Sequence, residues 1–161
     1  MTIEIVLVDY HNKKHAEDLL FCLNAYAIDP MGGGEPLKDS VIVTLIQRLQ
    51  AQPNVFSFLA YVDGKPAGLI NCVEGFSTFN AKPLVNIHDV VVLPDFRRMG
   101  ITGKLINEVE QFARDKGCCK LTLEVLEGNK VAQAAYKKQG FAGYELDPKM
   151  GQAVFWQKSI N

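Results

Sequence analysis

Val90-Val91-Val92, followed after a short proline-containing segment by Arg97-Arg98-Met99-Gly100-Ile101-Thr102-Gly103, is the stretch that decides the fold. The β-branched run predicts a strand and the apolar periodicity after Gly100 predicts a helix, so a basic turn joins the two. Glycines without a Cβ let the backbone of that turn bring successive N–H groups close to an anion. The helix adds its positive N-terminal end, and the arginines add forked donors that suit phosphate oxygens. The stretch therefore predicts a diphosphate-binding turn.

Two common phosphate-binding motifs are missing from the sequence. Gly103-Lys104 is followed by Leu105 and lacks the earlier glycine of G-x-x-x-x-G-K-[ST]. No strand-like run leads into a G-x-G-x-x-G either. The sequence therefore argues against a nucleoside triphosphate and against a dinucleotide.

The basic turn resembles the coenzyme A pyrophosphate loop of the GCN5-related N-acetyltransferases, whose pattern is [QR]-x-x-G-x-[GA] after a valine-rich strand. Arg97 and Gly100 match that pattern, and Thr102 replaces the usual small residue. Thr102 either crowds one amide of the loop or donates its hydroxyl to a phosphate oxygen.

Further signatures extend the resemblance over about Val55–Phe141. Asp63-Gly64 is a strong turn signal between two strand-like runs. Asn129-x-x-Ala132-x-x-x-Tyr136-x-x-x-Gly140-Phe141, after the run Leu121–Val125, is similar to the family's later strand, helix and entry to the next strand. Residues 1–53 match only in their strand–helix–helix order.

Apolar periodicity predicts an α/β chain. The predicted strands are Ile3–Val8, Val55–Val62, Ala67–Phe76, Leu84–Leu93, Leu121–Val125 and a closing hairpin of Phe141–Glu145 and Ala153–Lys158. The predicted helices are Lys13–Ile28, about Ile42–Leu49, one after Gly100 that Gly117 ends, and Val131–Gln139. Glycines between prolines predict a loop over Asp29–Pro36. The resemblance implies a mixed, mostly antiparallel twisted sheet flanked by helices, with a splayed strand pair holding the coenzyme.

Composition predicts one globular domain spanning residues 1–161, since 48% of the residues are hydrophobic and 22% are charged. A formal net charge of -1 argues against a nucleic-acid partner. No apolar run is long enough for a membrane span, and the first residues lack the pattern of a signal peptide. The four cysteines form no C-x-x-C pair. We therefore expect a cytoplasmic protein with reduced cysteines and no membrane partner.

The resemblance implies that the loop's amides hold the coenzyme pyrophosphate and that backbone groups of Val90 and Val92 pair with pantetheine. A bulge near Val90 or Val91 would supply the N–H that polarises the thioester carbonyl. Asn129 either caps its helix or contacts the coenzyme. The expected coenzyme-binding residues are Val90, Val91, Val92, Arg97, Arg98, Met99, Gly100, Ile101, Thr102, Gly103, Lys104, Asn129 and Tyr136.

Tyr136 holds the position at which the resemblance implies the acid that protonates the departing thiolate. A phenol has a pKa of about 10, which suits a thiolate of similar basicity. The alternative is a core aromatic packed beside Gly140-Phe141. No metal is expected, because His11 and His15 lie one helical turn apart without a third ligand.

The base that deprotonates the acceptor is less defined by sequence. Where many relatives carry a glutamate, this chain has Asn86, and His88 and Asp89 follow it. An imidazole titrates near neutrality and could take the proton directly or through water. Asp89 would orient His88 or bind a cationic acceptor, although strand neighbours face opposite ways unless a bulge intervenes. A strand histidine is also often structural, and Glu74 and Glu124 are further candidates.

These features predict an N-acetyltransferase that moves an acetyl group from acetyl-CoA to a primary amine by direct transfer in a ternary complex. The sequence contains no G-x-S-x-G, the motif that would favour an acyl-enzyme. The Asp29–Pro36 loop, the first two helices and Phe76–Pro83 would bind the acceptor. Transfer of a longer acyl group and a non-catalytic acyl-CoA sensor are the alternatives, and the choice between monomer and homodimer is open.

Overall fold

The structure, a computed structural model, describes residues 1–160. Its strands are β1 (Ile3–Leu7), β2 (Val55–Val62), β3 (Lys65–Ser77), β4 (Lys82–Val92) and β5 (Leu121–Leu123). Its helices are α1 (Lys13–Ile28), α2 (Asp39–Gln50), α3 (Ile101–Asp115) and α4 (Lys130–Lys138). Short 3₁₀ turns cover Pro30–Gly32, Pro94–Phe96 and Pro148–Met150. Within residues 1–160 no helix has both the length and the apolar character that a membrane crossing requires.

The strands form one five-stranded sheet in the order β1-β2-β3-β4-β5. Neighbouring strands are antiparallel except β4 and β5, which run parallel from Val85 opposite Leu121 to Ile87 opposite Leu123. The predicted fold class, a mixed and mostly antiparallel sheet with helices, is confirmed. Contacts along the chain divide it into two compact units, one over Met1–Leu123 and one that begins at Glu124.

The two faces of the sheet in the first unit are covered by different helices. On one face, Leu59, Leu69 and Val91 pack in one cluster with Leu19 and Cys22 of α1. On the other face, aromatic rings of β2 pack on α3, where the ring centroids of Phe56 and Phe112 lie 4.0 Å apart. Alternate strand residues point to opposite faces, so the near-continuous apolar runs of β2 and β3 serve both helices.

Local turn chemistry agrees with the sequence. Asp63 and Gly64 both have positive φ, 48° and 78°, as a tight hairpin between β2 and β3 requires. After α3, Gly117 has φ 73°, and the N–H of Cys118 bonds to the carbonyl of Ala113 over 2.9 Å. This is the left-handed C-terminal arrangement that a glycine permits.

The predicted closing hairpin is wrong. Phe141–Glu145 and Ala153–Lys158 form no strands, and a single bridge joins Glu145 to Gln152 around the Pro148–Met150 turn. A ribbon of two strands needs a third strand or a helix on its apolar face. Tyr144, Phe155 and Trp156 of this segment are instead exposed, Trp156 by 86%.

Other details also differ from expectation. Strand β5 ends at Leu123, although the apolar alternation extended to Val125. The predicted Asp29–Pro36 loop contains a 3₁₀ turn, because the Asp29 carboxylate accepts the N–H of Met31 and Pro30 presets the φ of the first turn residue.

We expect Leu19→Ala to lower the free energy of unfolding by about 2–5 kcal/mol, because Leu19 is 0% exposed in the α1 cluster and its truncation leaves a cavity. Urea denaturation followed by circular dichroism measures the change. Val43→Ala on α2 is the control, since Val43 is 76% exposed and its truncation should change little. Equal losses in both variants would contradict the assigned core.

Candidate active site

A β-bulge in β4 lies at His88. Cys72 of β3 pairs with Ile87, whereas the preceding residue, Asn71, pairs with Asp89, so His88 is the extra residue. Its side chain is exposed. The sequence had predicted a bulge near Val90 or Val91. The structure places the bulge shortly before them, at His88.

The bulge changes the face on which Asp89 lies. Ile87 shares a face with Cys72, and Asp89 shares the opposite face with Asn71. In a regular strand, residues 87 and 89 would point to the same side. The extra residue therefore turns Asp89 towards the α1 face of the sheet, while Ile87 stays on the α3 face.

Beyond the bulge, one edge of β4 is open. The parallel pairing with β5 ends at Ile87, and none of residues 1–160 extends it along residues 88–92. The N–H of Leu93 bonds to Ala67 of β3 over 2.8 Å, so the backbone groups of Val91 and Leu93 face β3. Backbone groups of Val90 and Val92 therefore face the open edge, because they alternate along the strand. The resemblance implied that the coenzyme lies along this part of β4.

The turn after β4 leads into α3 through left-handed backbone. Arg98 has φ 64° and Gly100 has φ 75°. Gly100 is the N-cap residue and no side chain caps the helix, so the N–H groups of the first turn have no intrahelical partner. A Cβ built on Gly100 would meet nothing within 4 Å. The turn thus offers unpaired donors, a positive helix end and room for an anion, and it fits a phosphate group.

Arg97 bonds within the protein. Its Nη2 lies 3.1 Å from Oδ2 of Asp29, and its Nε donates to the carbonyl of Val92 over 3.3 Å. The Met31 N–H and the Arg97 guanidinium lower the pKa of the Asp29 carboxyl. The Arg97 side chain therefore ties the phosphate turn to the loop between α1 and α2. Both Arg97 and Arg98 are exposed.

The loop between α1 and α2 lies against the end of α1. A Cβ on Gly32 would stand 1.9 Å from the carbonyl oxygen of Tyr26, so only glycine permits this approach. The side-chain oxygen of Asn24 accepts the N–H of Leu37 over 2.9 Å. Burial raises the pKa of the Tyr26 phenol, and the charges of Asp89 and Asp29 raise it further.

A row of polar side chains crosses the α1 face of the sheet. The hydroxyls of Tyr10 and Ser57 lie 2.8 Å apart, and Ser57 donates to Oδ1 of Asn71 over 2.6 Å. Nδ2 of Asn71 then donates to Oδ2 of Asp89 over 3.0 Å. The polar row ends at Asp89, next to the bulge, where the hydrogen bond from Asn71 holds the Asp89 carboxylate.

Asn86, which stands where the resemblance implies a glutamate, and Glu74, a further candidate base, both have structural partners. Nδ2 of Asn86 donates to the Thr122 hydroxyl over 3.0 Å and so joins β4 to β5. Glu74 lies 3.8 Å from the Lys116 ammonium just past the C-terminal end of α3, whereas the phosphate turn precedes its N-terminal end. Among residues 1–160 no group of three or more His, Cys, Asp or Glu residues could hold a metal ion.

In the second unit, Asn129 caps α4, since its side-chain oxygen accepts the N–H of Ala132 over 3.2 Å. Asn129 therefore caps its helix, and its predicted contact with the coenzyme stays a prediction. Tyr136 lies on α4 with its ring centroid 6.1 Å from that of Phe141. Gly140 has φ 89°, which allows the chain to reverse after the helix.

Comparison with known proteins agrees with this geometry. A sequence model of the acetyltransferase (GNAT) family matches residues 17–141. The chain belongs to this family. It is an acetyl-CoA-dependent N-acetyltransferase, as the loop, the hairpin and the Tyr136 helix had predicted.

Individual GNAT relatives act on different amines. A thialysine N-epsilon-acetyltransferase of Caenorhabditis elegans is 31% identical over 144 residues, which cover 83% of this chain and 86% of that protein. An aminoglycoside N(6')-acetyltransferase type 1 of Acinetobacter genomosp. 13 is 28% identical over 129 residues, 78% of this chain and 84% of that protein.

Solved structures share the fold. The aminoglycoside acetyltransferase AAC(6')-Iy, in complex with the bisubstrate analogue CoA-S-monomethyl-acetylneamine, superposes with a TM-score of 0.77 at 22% identity, covering 99% of this chain and 100% of that one. A probable acetyltransferase gives a TM-score of 0.81 at 21% identity, covering 98% and 99%.

Sequence reasoning missed two features of this GNAT site. The Arg97–Asp29 pair joins residues far apart in sequence, and no local pattern indicates it. The polar row did leave a signal, because Ser57 and Asn71 interrupt otherwise apolar strand runs. A polar residue in a buried strand requires a hydrogen-bond partner, and two such residues indicate a network.

We expect Gly100→Ala to weaken coenzyme A binding at least about 10-fold. Left-handed backbone costs a residue with a Cβ roughly 1–2 kcal/mol, and the added methyl group enters the space beside the phosphate turn. Titration calorimetry with coenzyme A measures the affinity. Gly64→Ala is the matched control, since Gly64 has φ 78° and nothing within 4 Å of a built Cβ. Equal affinity of both variants for coenzyme A would refute the assignment of the turn.

Proposed function

We propose that this GNAT protein acetylates a primary alkylamine that binds as an ammonium ion beside Asp89. The observation that carries the proposal is the bulge at His88, which turns the Asp89 carboxylate to the α1 face next to the open edge of β4. A carboxylate there provides a charge-assisted acceptor for an ammonium group.

The acyl donor is proposed to lie along the open edge of β4. Backbone groups of Val90 and Val92 pair with the pantetheine amides as an added strand would. The turn from Arg97 to Lys104 holds the pyrophosphate through amides of Ile101, Thr102 and Gly103, with Arg98 supplying charge. Val90 lies directly after the bulge and is the proposed donor to the thioester oxygen, because its N–H faces the open edge.

The acceptor is proposed to enter from the side of α1. Tyr26 and the Asp29 loop lie on that side together with Asp89, and both carboxylates raise the pKa of the Tyr26 phenol. Because Arg97 already pairs with Asp29, the Asp89 carboxylate is the proposed charge that favours a cation over a neutral amine. The named relatives acetylate thialysine and aminoglycosides, which is consistent with a cationic acceptor.

The proton of the bound ammonium must leave before the nitrogen can attack. His88 is the proposed proton acceptor because it is exposed at the bulge next to Asp89 and can pass the proton to water. Attack on the thioester gives an oxyanion that the Val90 N–H would stabilise. Collapse then releases the coenzyme thiolate, and Tyr136 is proposed to protonate it.

We also propose that residues 1–161 act as one acetyltransferase domain, since the family match over residues 17–141 crosses the boundary at Leu123. A cytoplasmic location is the proposed setting. It is supported by the cysteines, because Cys22, Cys72, Cys118 and Cys119 are all free thiols, as in a reducing compartment.

Acetyl transfer to benzylamine and aniline tests the proposed acceptor. Benzylamine is protonated at neutral pH and aniline is not, so we expect the wild-type protein to prefer benzylamine. Asp89→Asn should lower kcat/KM for benzylamine roughly 10- to 150-fold, the equivalent of a charged hydrogen bond of about 1.5–3 kcal/mol. Coenzyme A affinity should stay unchanged.

Asp115→Asn is the control, because Asp115 bonds only to Gln111 on the exposed surface of α3. Unchanged kinetics of Asp89→Asn would show that the ammonium binds elsewhere. If coenzyme A binds but no amine in a broad panel is acetylated, the proposed acceptor chemistry is wrong.

Tyr136→Phe should lower kcat about 100-fold and leave coenzyme A affinity unchanged, because the phenol acts only as the thiolate departs. Steady-state kinetics with saturating acceptor measures the effect. Tyr144→Phe is the matched control from the same unit. Wild-type turnover of Tyr136→Phe would leave Tyr136 with the packing role against Phe141.

A further inference from the structure

The polar row consists of four side chains that neighbour one another across the sheet of the first unit. They are Tyr10, which follows β1, Ser57 of β2, Asn71 of β3 and Asp89 of β4. Ser57 pairs with Asn71 and Asn71 pairs with Asp89 in the strand register, so three of the four are direct cross-strand neighbours. Tyr10 follows β1 and reaches Ser57 because the N–H of Val8 bonds to the Ser57 carbonyl over 2.9 Å. The row thus runs at right angles to the strands.

The surroundings of the row are apolar. Ser57 is 0% exposed, and Leu59, Leu69 and Val91 lie next along the same face. Buried polar groups cost free energy unless each one has a hydrogen-bond partner. Ser57 is buried and the other three members are half-buried. Every member has a partner, and a fully bonded network is rigid. Apolar residues would pack at these positions without needing hydrogen-bond partners. The polar side chains of the row therefore have a role other than packing.

The hydrogen bonds of the row can run in only one direction. An ionised carboxylate accepts only, so the amide nitrogen of Asn71 must face Asp89 and its oxygen must face Ser57. The single hydroxyl proton of Ser57 then goes to Asn71, and Tyr10 must donate to Ser57. Burial raises the pKa of the Tyr10 phenol, which keeps that donor protonated. Every donor therefore points towards Asp89.

We propose that Tyr10, Ser57 and Asn71 are positioning residues that hold the Asp89 carboxylate in the orientation needed to align the acceptor amine. This inference rests on the proposed role of Asp89. Asn71 occupies Oδ2, which directs Oδ1 to the ammonium group. Without that bond the carboxylate rotates about its side-chain torsions, and the amine loses its alignment with the thioester.

Loss of alignment has a characteristic kinetic effect. A displacement of about 1 Å from the reactive geometry can cost on the order of 100-fold in rate. The coenzyme lies along β4 in the proposal and does not touch the row. Disrupting the row should therefore lower kcat with the acceptor and leave coenzyme A affinity and the acetyl-CoA KM unchanged.

Ser57→Thr and Ser57→Val form the decisive pair, since the new side chains have the same shape and only threonine keeps the hydroxyl. Any steric strain is common to both variants. We expect kcat for benzylamine to be about 10- to 100-fold lower in Ser57→Val than in Ser57→Thr. Coenzyme A titration and thermal unfolding are measured on both. Equal kcat values in the pair would overturn the inference.

Tyr10→Phe tests the far end of the row. Tyr10→Phe should lower kcat several-fold. Tyr61→Phe is the control and should leave kcat unchanged, because Tyr61 lies on the same face but donates its phenol hydrogen bond to Asp18, over 2.7 Å, outside the row. Equal turnover of Tyr10→Phe and Tyr61→Phe would remove Tyr10 from the positioning group.

The proposed acceptor site and the positioning row can fail separately. If Asp89→Asn has wild-type kinetics, the role of Asp89 fails and the row has nothing to position. If Asp89→Asn is impaired while Ser57→Val equals Ser57→Thr, Asp89 keeps its role and the row is refuted alone.

Discussion

One extra residue in β4, His88, determines how the rest of the site is arranged. Pairing with β5 ends immediately before the bulge, and the edge that begins there leads along Val90 and Val92 to the phosphate turn. The same residue turns Asp89 to the α1 face. A bulge changes both the pairing and the direction of side chains on the strand. The edge proposed for the coenzyme and the carboxylate proposed for the acceptor therefore share one structural cause.

The Arg97–Asp29 ion pair connects the two sides of this arrangement. Arg97 belongs to the turn that is proposed to hold the pyrophosphate, and Asp29 begins the loop that is proposed to border the acceptor. The pair is half-exposed and contributes little to stability by itself. It nevertheless fixes the loop, together with the close contact of Gly32 on the Tyr26 carbonyl. The proposed phosphate site and the proposed acceptor loop therefore share the Arg97 side chain.

Much of the fold could be predicted because the signals were local. The Asp63-Gly64 turn, the helix from Lys13 to Ile28 and the left-handed Gly117 each follow from residues close in sequence. The closing hairpin could not be predicted in this way, because alternation at Ala153–Lys158 indicates a strand without indicating a partner. The bulge was expected, but its position depends on the pairing of Cys72 and Asn71 in another strand.

The resemblance implies a glutamate at the position of Asn86. The strand register shows that the Asp89 carboxylate lies on the same face of β4 as Asn86. Asn86 pairs with Val73 and Asp89 pairs with Asn71, so both lie on the α1 face, although residues three apart in a regular strand point to opposite faces. Because His88 is an extra residue between them, the side chains of Asn86 and Asp89 point to the same face. Asn86 uses its amide to join β4 to Thr122 of β5. A carboxylate is thus presented on the same face of β4 from a position nearer the open edge, where an amine meeting a thioester would need it.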